Sequence, residues 1–163
     1  MSDAERIVAL IPRLRRYARA LAGDRSAADD LVQDTLERAW AKLHLFRPGT
    51  DLRAWLFTVM HNVHVNQLRA ARPGAPLEDE MPELAHPARE SDGLELRDLD
   101  LAIRRLPPEQ REVLLLVALE DMSYGEAART LDIPIGTVMS RLARAREKLR
   151  VGLGITGKLK VVK

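Results

Sequence analysis

Residues 72–91 read RPGAPLEDEMPELAHPARES: four prolines, one glycine and five acids against two arginines. Proline lacks the amide proton that helices and central strands need, and it pushes the residue before it toward extended backbone. No apolar period survives here, so the stretch is expected to be an extended, solvated linker. It is expected to divide the chain into two pieces. Residues 1–72 and 92–163 are each expected to form a small helical domain, joined flexibly through 73–91, in an all-α protein.

Helical punctuation supports that division. A first helix is expected over 3–21, with Pro12 a point of interruption. SAAD announces a second that runs to about residue 43, with Ser26 as N-cap and Asp29 in the capping-box position. Ala28, Leu31, Val32, Leu36, Ala39, Trp40 and Leu43 fall on one face of it. After the breaker FRPGT, Asp51 caps a third helix to about residue 71, striped by Leu52, Trp55, Leu56, Val59, Met60 and Val63. Beyond the linker comes a helix over 92–105. LPPEQREVLLLVALEDM follows, with its prolines at a helix start and an almost wholly apolar run that implies burial. No strand pattern and no repeat appears.

Composition narrows the chemistry. Hydrophobic residues make up 46% and aromatics 4% of the 163 residues, so a Leu/Ala/Val-built helical core is within reach. The absence of cysteine excludes disulfides and thiolate metal sites. MSDAERIVALIPRLRRYARA lacks the basic-then-apolar order of a secretory leader, and VLLLVAL is too short to span a bilayer. A cytoplasmic, soluble protein without membrane insertion is the expectation. The net charge of +2 hides a strong asymmetry: residues 1–71 carry +3, residues 72–128 carry −8 and residues 129–163 carry +7. A basic end beside an acidic middle suggests a polyanionic partner for that end.

The last two helices make that suggestion specific. In SYGEAARTLDI, Ser123 and Glu126 form a capping box, and alanines give the short helix a small face. DIPIG turns the chain into GTVMSRLARAREKLR, where Val138, Leu142, Ala145 and Leu149 recur at helical spacing as an inner face. Thr137, Ser140, Arg141, Arg144 and Lys148 then lie outward. A short helix, a tight turn and a longer basic helix are the parts of a helix-turn-helix. Arginine can bond guanine O6 and N7 or a phosphate, and small hydroxyls near the helix start allow close approach. A merely solvated surface would be expected to hold more acids than Glu147 alone.

Two other faces carry chemistry. His61, Asn62, Asn66 and Arg69 lie off the apolar stripe of the third helix, with residue types that read base edges; an ordinary polar face fits equally well. His61 and His64 have neither the spacing nor the acids of a metal site, so neither metal nor cofactor is expected. On the second helix Asp30, Gln33, Asp34 and Glu37 form an acidic stripe, which repels DNA and suits a basic protein partner.

The order of these pieces resembles the extracytoplasmic-function (group IV) sigma factors of bacterial RNA polymerase, in the sigma-70 family. The resemblance rests on DDLVQDTLERAWAKLHLFRPGTDLRAWLFTVMHNVHVNQLR (29–69) and LPPEQREVLLLVALEDMSYGEAARTLDIPIGTVMSRLARAREKLR (106–150). It implies that residues 1–72 act as a region-2 domain, with Asp30, Gln33, Asp34 and Glu37 on the polymerase clamp. Asn62, Asn66 and Arg69 would face the minus-ten strand, and FRPGTD (46–51) would capture a flipped base. Residues 92–163 would act as region 4 on the minus-thirty-five element, and the linker's acids would lie toward the RNA exit path. Met139 and Ala143 depart from residues common in that family. The resemblance further implies core polymerase and promoter DNA as partners, a holding anti-sigma factor, no small-molecule substrate and no catalysis. The rival readings are a stand-alone dimeric helix-turn-helix regulator, a decoy that binds an anti-sigma factor, and a small hydrolase, for which no nucleophile–base–acid set is visible. The tail TGKLKVVK is expected to fray or to be ordered by a partner.

Overall fold

The computed structural model describes residues 1–71 and 92–154, with the side chains of 92–96 left out. The expected linker and the final TGKLKVVK lie outside these residues. Among them there are only helices and turns: α1 (Asp3–Ala22), α2 (Arg25–Ala41), a 3₁₀ turn (Leu43–Leu45), α3 (Leu52–Ala71), α4 (Asp92–Arg104), α5 (Pro108–Leu114), a π-helical turn (Leu115–Leu119), α6 (Tyr124–Leu131) and α7 (Ile135–Gly152). None of these helices is long and apolar enough to cross a membrane.

Local chemistry explains most of the boundaries. Ser2 and Glu5 close a capping box at the start of α1, and Gly23, at φ +78°, ends it in the left-handed conformation. Pro12 does not interrupt α1, which continues through it. The expected cap at Ser26 is wrong by two residues. Asp24 follows the Gly23 turn directly and its carboxylate accepts from the Ala27 amide, so Ser26 falls inside the first turn of α2. Asp51 accepts from the Ala54 amide and opens α3 as expected. The apolar run 113–117 is buried throughout, but it does not stay α-helical. The wider π turn brings the chain to Glu120, whose amide bonds back to the Leu115 carbonyl.

α1, α2 and α3 form the N-terminal bundle, and α5 and α6 pack on α7 in the C-terminal one. The two are not held apart. α3 packs on α6, while α1 lies against α4, α5 and the π turn, and the buried apolar side chains join into one cluster across both halves. Tyr17 and Phe57 meet edge-to-face at 5.0 Å inside it. Arg111 stitches the join with its guanidinium. It donates to the Leu21 carbonyl at the end of α1 (2.7 Å) and to the carbonyls of Ile103, Arg104 and Leu106 around the end of α4. The Leu21, Ile103 and Arg104 carbonyls lie in the last turns of α1 and α4, where carbonyls run out of partners further along the helix, and Leu106 lies in the turn beyond α4.

Candidate nucleic-acid interface

α6 and α7 build the basic edge. The Ser123–Glu126 capping box starts α6 as expected, and Asp132, left-handed at φ +56°, ends it. Asp132 tolerates this conformation better than a branched residue would. Pro134 then starts α7 with no side-chain cap. Val138, Leu142, Ala145 and Leu149 are all buried, so the inner face is the expected one.

The outer face follows from it. Ser140, Arg144 and Lys148 are exposed, and Thr137 and Arg141 are half-buried at its margin. The Ser140 hydroxyl donates to the Thr137 carbonyl at 3.2 Å, which leaves its oxygen able to accept. Arg141, Arg144 and Lys148 enter no ion pair among the described residues, whereas Arg150 is paired with Glu147. Three cations are thus held out on a rigid helix that no described residue neutralises, the electrostatic footprint of a polyanion site. The sequence pattern missed an apolar part of this face: Ile135 and Met139 are each 51% exposed beside the cations. Such side chains can meet a thymine methyl group.

The N-terminal sites are distributed differently. Asn62, Asn66 and Arg69 stand exposed along α3. His61 does not join them. Its Nδ1 lies 2.5 Å from the carboxylate of Glu112 on α5, and the side chain is largely covered. His64, the next turn's neighbour, is buried, and burial lowers its pKa from the ordinary 6.5.

On α2, Asp30, Gln33, Asp34 and Glu37 are all exposed. Asp34 accepts from Gln67 Nε2 of α3 at 2.7 Å. Asp34, Glu37 and Arg38 share an open groove with Asn66 and Gln67, so the acidic stripe and part of the asparagine face adjoin. Trp40 was expected in the core and is 46% exposed, because no described element covers the end of α2 on that side. With the exposed Leu45 it adds apolar surface beyond the acids. In the loop 46–51, Phe46 is buried against Trp55 at 5.4 Å, while Arg47 to Thr50 are exposed.

Sequence patterns also missed the polar cluster where the halves meet. Glu120 is fully buried, and Arg13, Arg16 and Arg53 converge on it. Its only local signal is an acid at the end of an apolar run.

A family model described as Sigma-70, region 4 matches residues 96–149, and one described as the Sigma2 domain of PhyR matches residues 7–61. Over 155 residues the chain is 39% identical to the ECF RNA polymerase sigma factor EcfG of Rhodopseudomonas palustris, covering 93% of this chain and 84% of that one. The chain belongs to the ECF RNA polymerase sigma factors. Two solved structures are similar to this sigma factor along nearly its whole length. One is the sigma factor RpoE in complex with the anti-sigma factor NepR from Bartonella quintana, at 35% identity and TM-score 0.75, covering 94% of this chain and 98% of that one. The other is CnrH in complex with the cytosolic domain of CnrY, at 29% identity and TM-score 0.68, with 95% and 89% covered. The region-4 match contains the whole outer cationic face of α7, from Thr137 to Lys148.

Proposed function

We propose that this chain is a group IV alternative sigma factor that works in the cytoplasm, binds core RNA polymerase and directs it to a subset of promoters. Residues 1–72 serve as the region-2 domain and 92–163 as region 4, with 73–91 as the tether. Thr137, Ser140, Arg141, Arg144 and Lys148 contact the minus-thirty-five element. Asn62, Asn66 and Arg69 contact the minus-ten strand, and His61 joins them only once Glu112 has withdrawn. Asp30, Gln33, Asp34 and Glu37 meet the polymerase clamp, with Trp40 as an apolar neighbour. An anti-sigma factor holds the chain until a stress signal releases it. The similar structures solved with anti-sigma partners support that regulation.

The observation that carries the reading is the row of cations on α7 with no ion pair among the described residues, seated on a buried inner face inside the region-4 match. Two modest DNA surfaces on one tether gain affinity when the polymerase holds both at once. Free protein therefore binds promoter DNA weakly, and the complex with core binds it tightly. Asp34→Ala reduces core affinity while leaving the fold intact, because its exposed carboxylate holds only a surface hydrogen bond to Gln67. Titration of labelled core polymerase with both proteins measures this; equal affinity rejects the clamp assignment.

The match of residues 7–61 to the PhyR-type Sigma2 model favours one rival, a decoy that captures an anti-sigma factor and never contacts DNA. A decoy does not initiate transcription with core polymerase, so run-off transcription separates the two.

A further inference from the structure

We propose that Arg13, Arg16 and Arg53 form an anion-binding site that Glu120 fills while the two halves are closed and a nucleic-acid backbone phosphate fills when they part. The proposal rests on the sigma-factor reading for its nucleic acid and on the interface geometry for the site. Arg13 and Arg16 lie one turn apart on α1, and Arg53 sits in the first turn of α3. Arg13 Nε donates to Glu120 Oε1 at 3.0 Å, Arg53 Nη1 lies 3.9 Å from the same oxygen, and Arg16 Nη2 lies 3.6 Å from Oε2. Arg53 also donates to the Glu120 backbone carbonyl at 2.9 Å.

One carboxylate thus answers three guanidinium groups, and it does so poorly. Glu120 is fully buried, yet Oε2 has only the Arg16 guanidinium at 3.6 Å, longer than a good hydrogen bond, and burial raises the carboxyl's pKa even with three cations around it. A buried, half-satisfied carboxylate gains little over its lost hydration. The three arginines keep outer faces in solvent, at 40%, 56% and 20% exposure for Arg13, Arg16 and Arg53. The site is therefore built for an anion and only loosely filled by the one it holds.

The same helix says which anion replaces it. His61, eight residues beyond Arg53 on α3, is held by a second glutamate of the C-terminal half, Glu112. Eight helical residues span about 12 Å, about the axial rise of three to four phosphates on one DNA strand. Asn62, Asn66 and Arg69 lie exposed further along α3 but on the side turned away from Arg53, where Asn66 adjoins the acidic groove of α2. Two glutamates of the C-terminal half thus occupy Arg53 and His61, the groups on this side of α3 that a backbone phosphate would meet, so closure and strand binding at this site exclude each other.

The test uses the full chain, a fluorescent fork-junction DNA, polyglutamate as a competitor of equal charge, and small-angle scattering. Glu120→Gln is expected to enlarge the radius of gyration and tighten DNA binding about 5-fold, with a salt dependence steeper by about one to two phosphate contacts. Adding Arg13→Ala and Arg16→Ala removes that gain. Arg16→Ala alone, at a largely exposed side chain, lowers the salt slope of saturating DNA binding by about one and tests the site even where Glu120→Gln does not fold. An unchanged salt slope in Arg16→Ala, a DNA gain that survives loss of both arginines, or equal competition by polyglutamate overturns the proposal. Run-off transcription by the unmodified chain keeps the two readings apart. If it initiates while these variants show no effect, only the anion site fails; if it never initiates while they behave as expected, the sigma-factor reading fails and the site stands.

Discussion

Arg144 stands exposed on α7 with no ion pair among the described residues, so its removal disturbs nothing inside the fold. Arg144→Ala is expected to lose about 1–3 kcal/mol of DNA binding if it reads a base edge, with the melting temperature unchanged. Fluorescence anisotropy of the core complex on promoter duplexes, beside a thermal melt, measures both. At this scale the sequence was legible wherever burial follows helical period. Val138, Leu142, Ala145 and Leu149 were readable because four positions on one helix repeat one environment. Trp40 was misread because period gives a side chain's direction and not whether another element waits there. The partners of His61 and Glu120 were unreadable for a different reason. They pair with residues 51 and 107 positions away, and no local pattern encodes such contacts.

Helix ends show the same division between local and non-local information. The Ser123–Glu126 box was legible because both of its hydrogen bonds close within three residues. The start of α2 was not, since Asp24 and Ser26 both have capping chemistry and the Gly23 turn decides between them. Asp24→Ala is expected to cost about 1 kcal/mol through the lost bond to the Ala27 amide. Ser26→Ala is expected to change stability by less than about 0.5 kcal/mol. Urea denaturation of the two variants checks the assignment, and a larger loss for Ser26→Ala reverses it. The π turn at Leu115–Leu119 had no signature, because a run of leucine and valine fits α and π geometry alike.

At the scale of the whole molecule, the two helical units were legible from the proline-rich stretch, and the contacts through which they pack were not. The acidic charge of residues 72–128 has part of its physical reason in that packing: Glu112 and Glu120 face His61 and three arginines of the N-terminal half. The join also carries pH dependence. Burial depresses the pKa of His64, with Glu112, His61 and Arg111 around it. The stability it confers is present above its ordinary value of 6.5 and is lost as pH falls through the lower folded value. Glu120 acts oppositely: its raised pKa favours the fold below the ordinary 4.5 and withdraws that support as pH rises. Acidification from about pH 7.5 to about pH 5.5 is therefore expected to lower the melting temperature, and His64→Leu to shrink that drop. An identical drop in the variant assigns the dependence elsewhere.

Run-off transcription with purified core RNA polymerase, over a library of promoter sequences, tests the central claim most directly. The chain is expected to yield transcripts from templates that share two short elements at a fixed spacing, and Arg141→Ala with Arg144→Ala to abolish them. Core polymerase that binds the chain yet starts on none of the templates contradicts the claim.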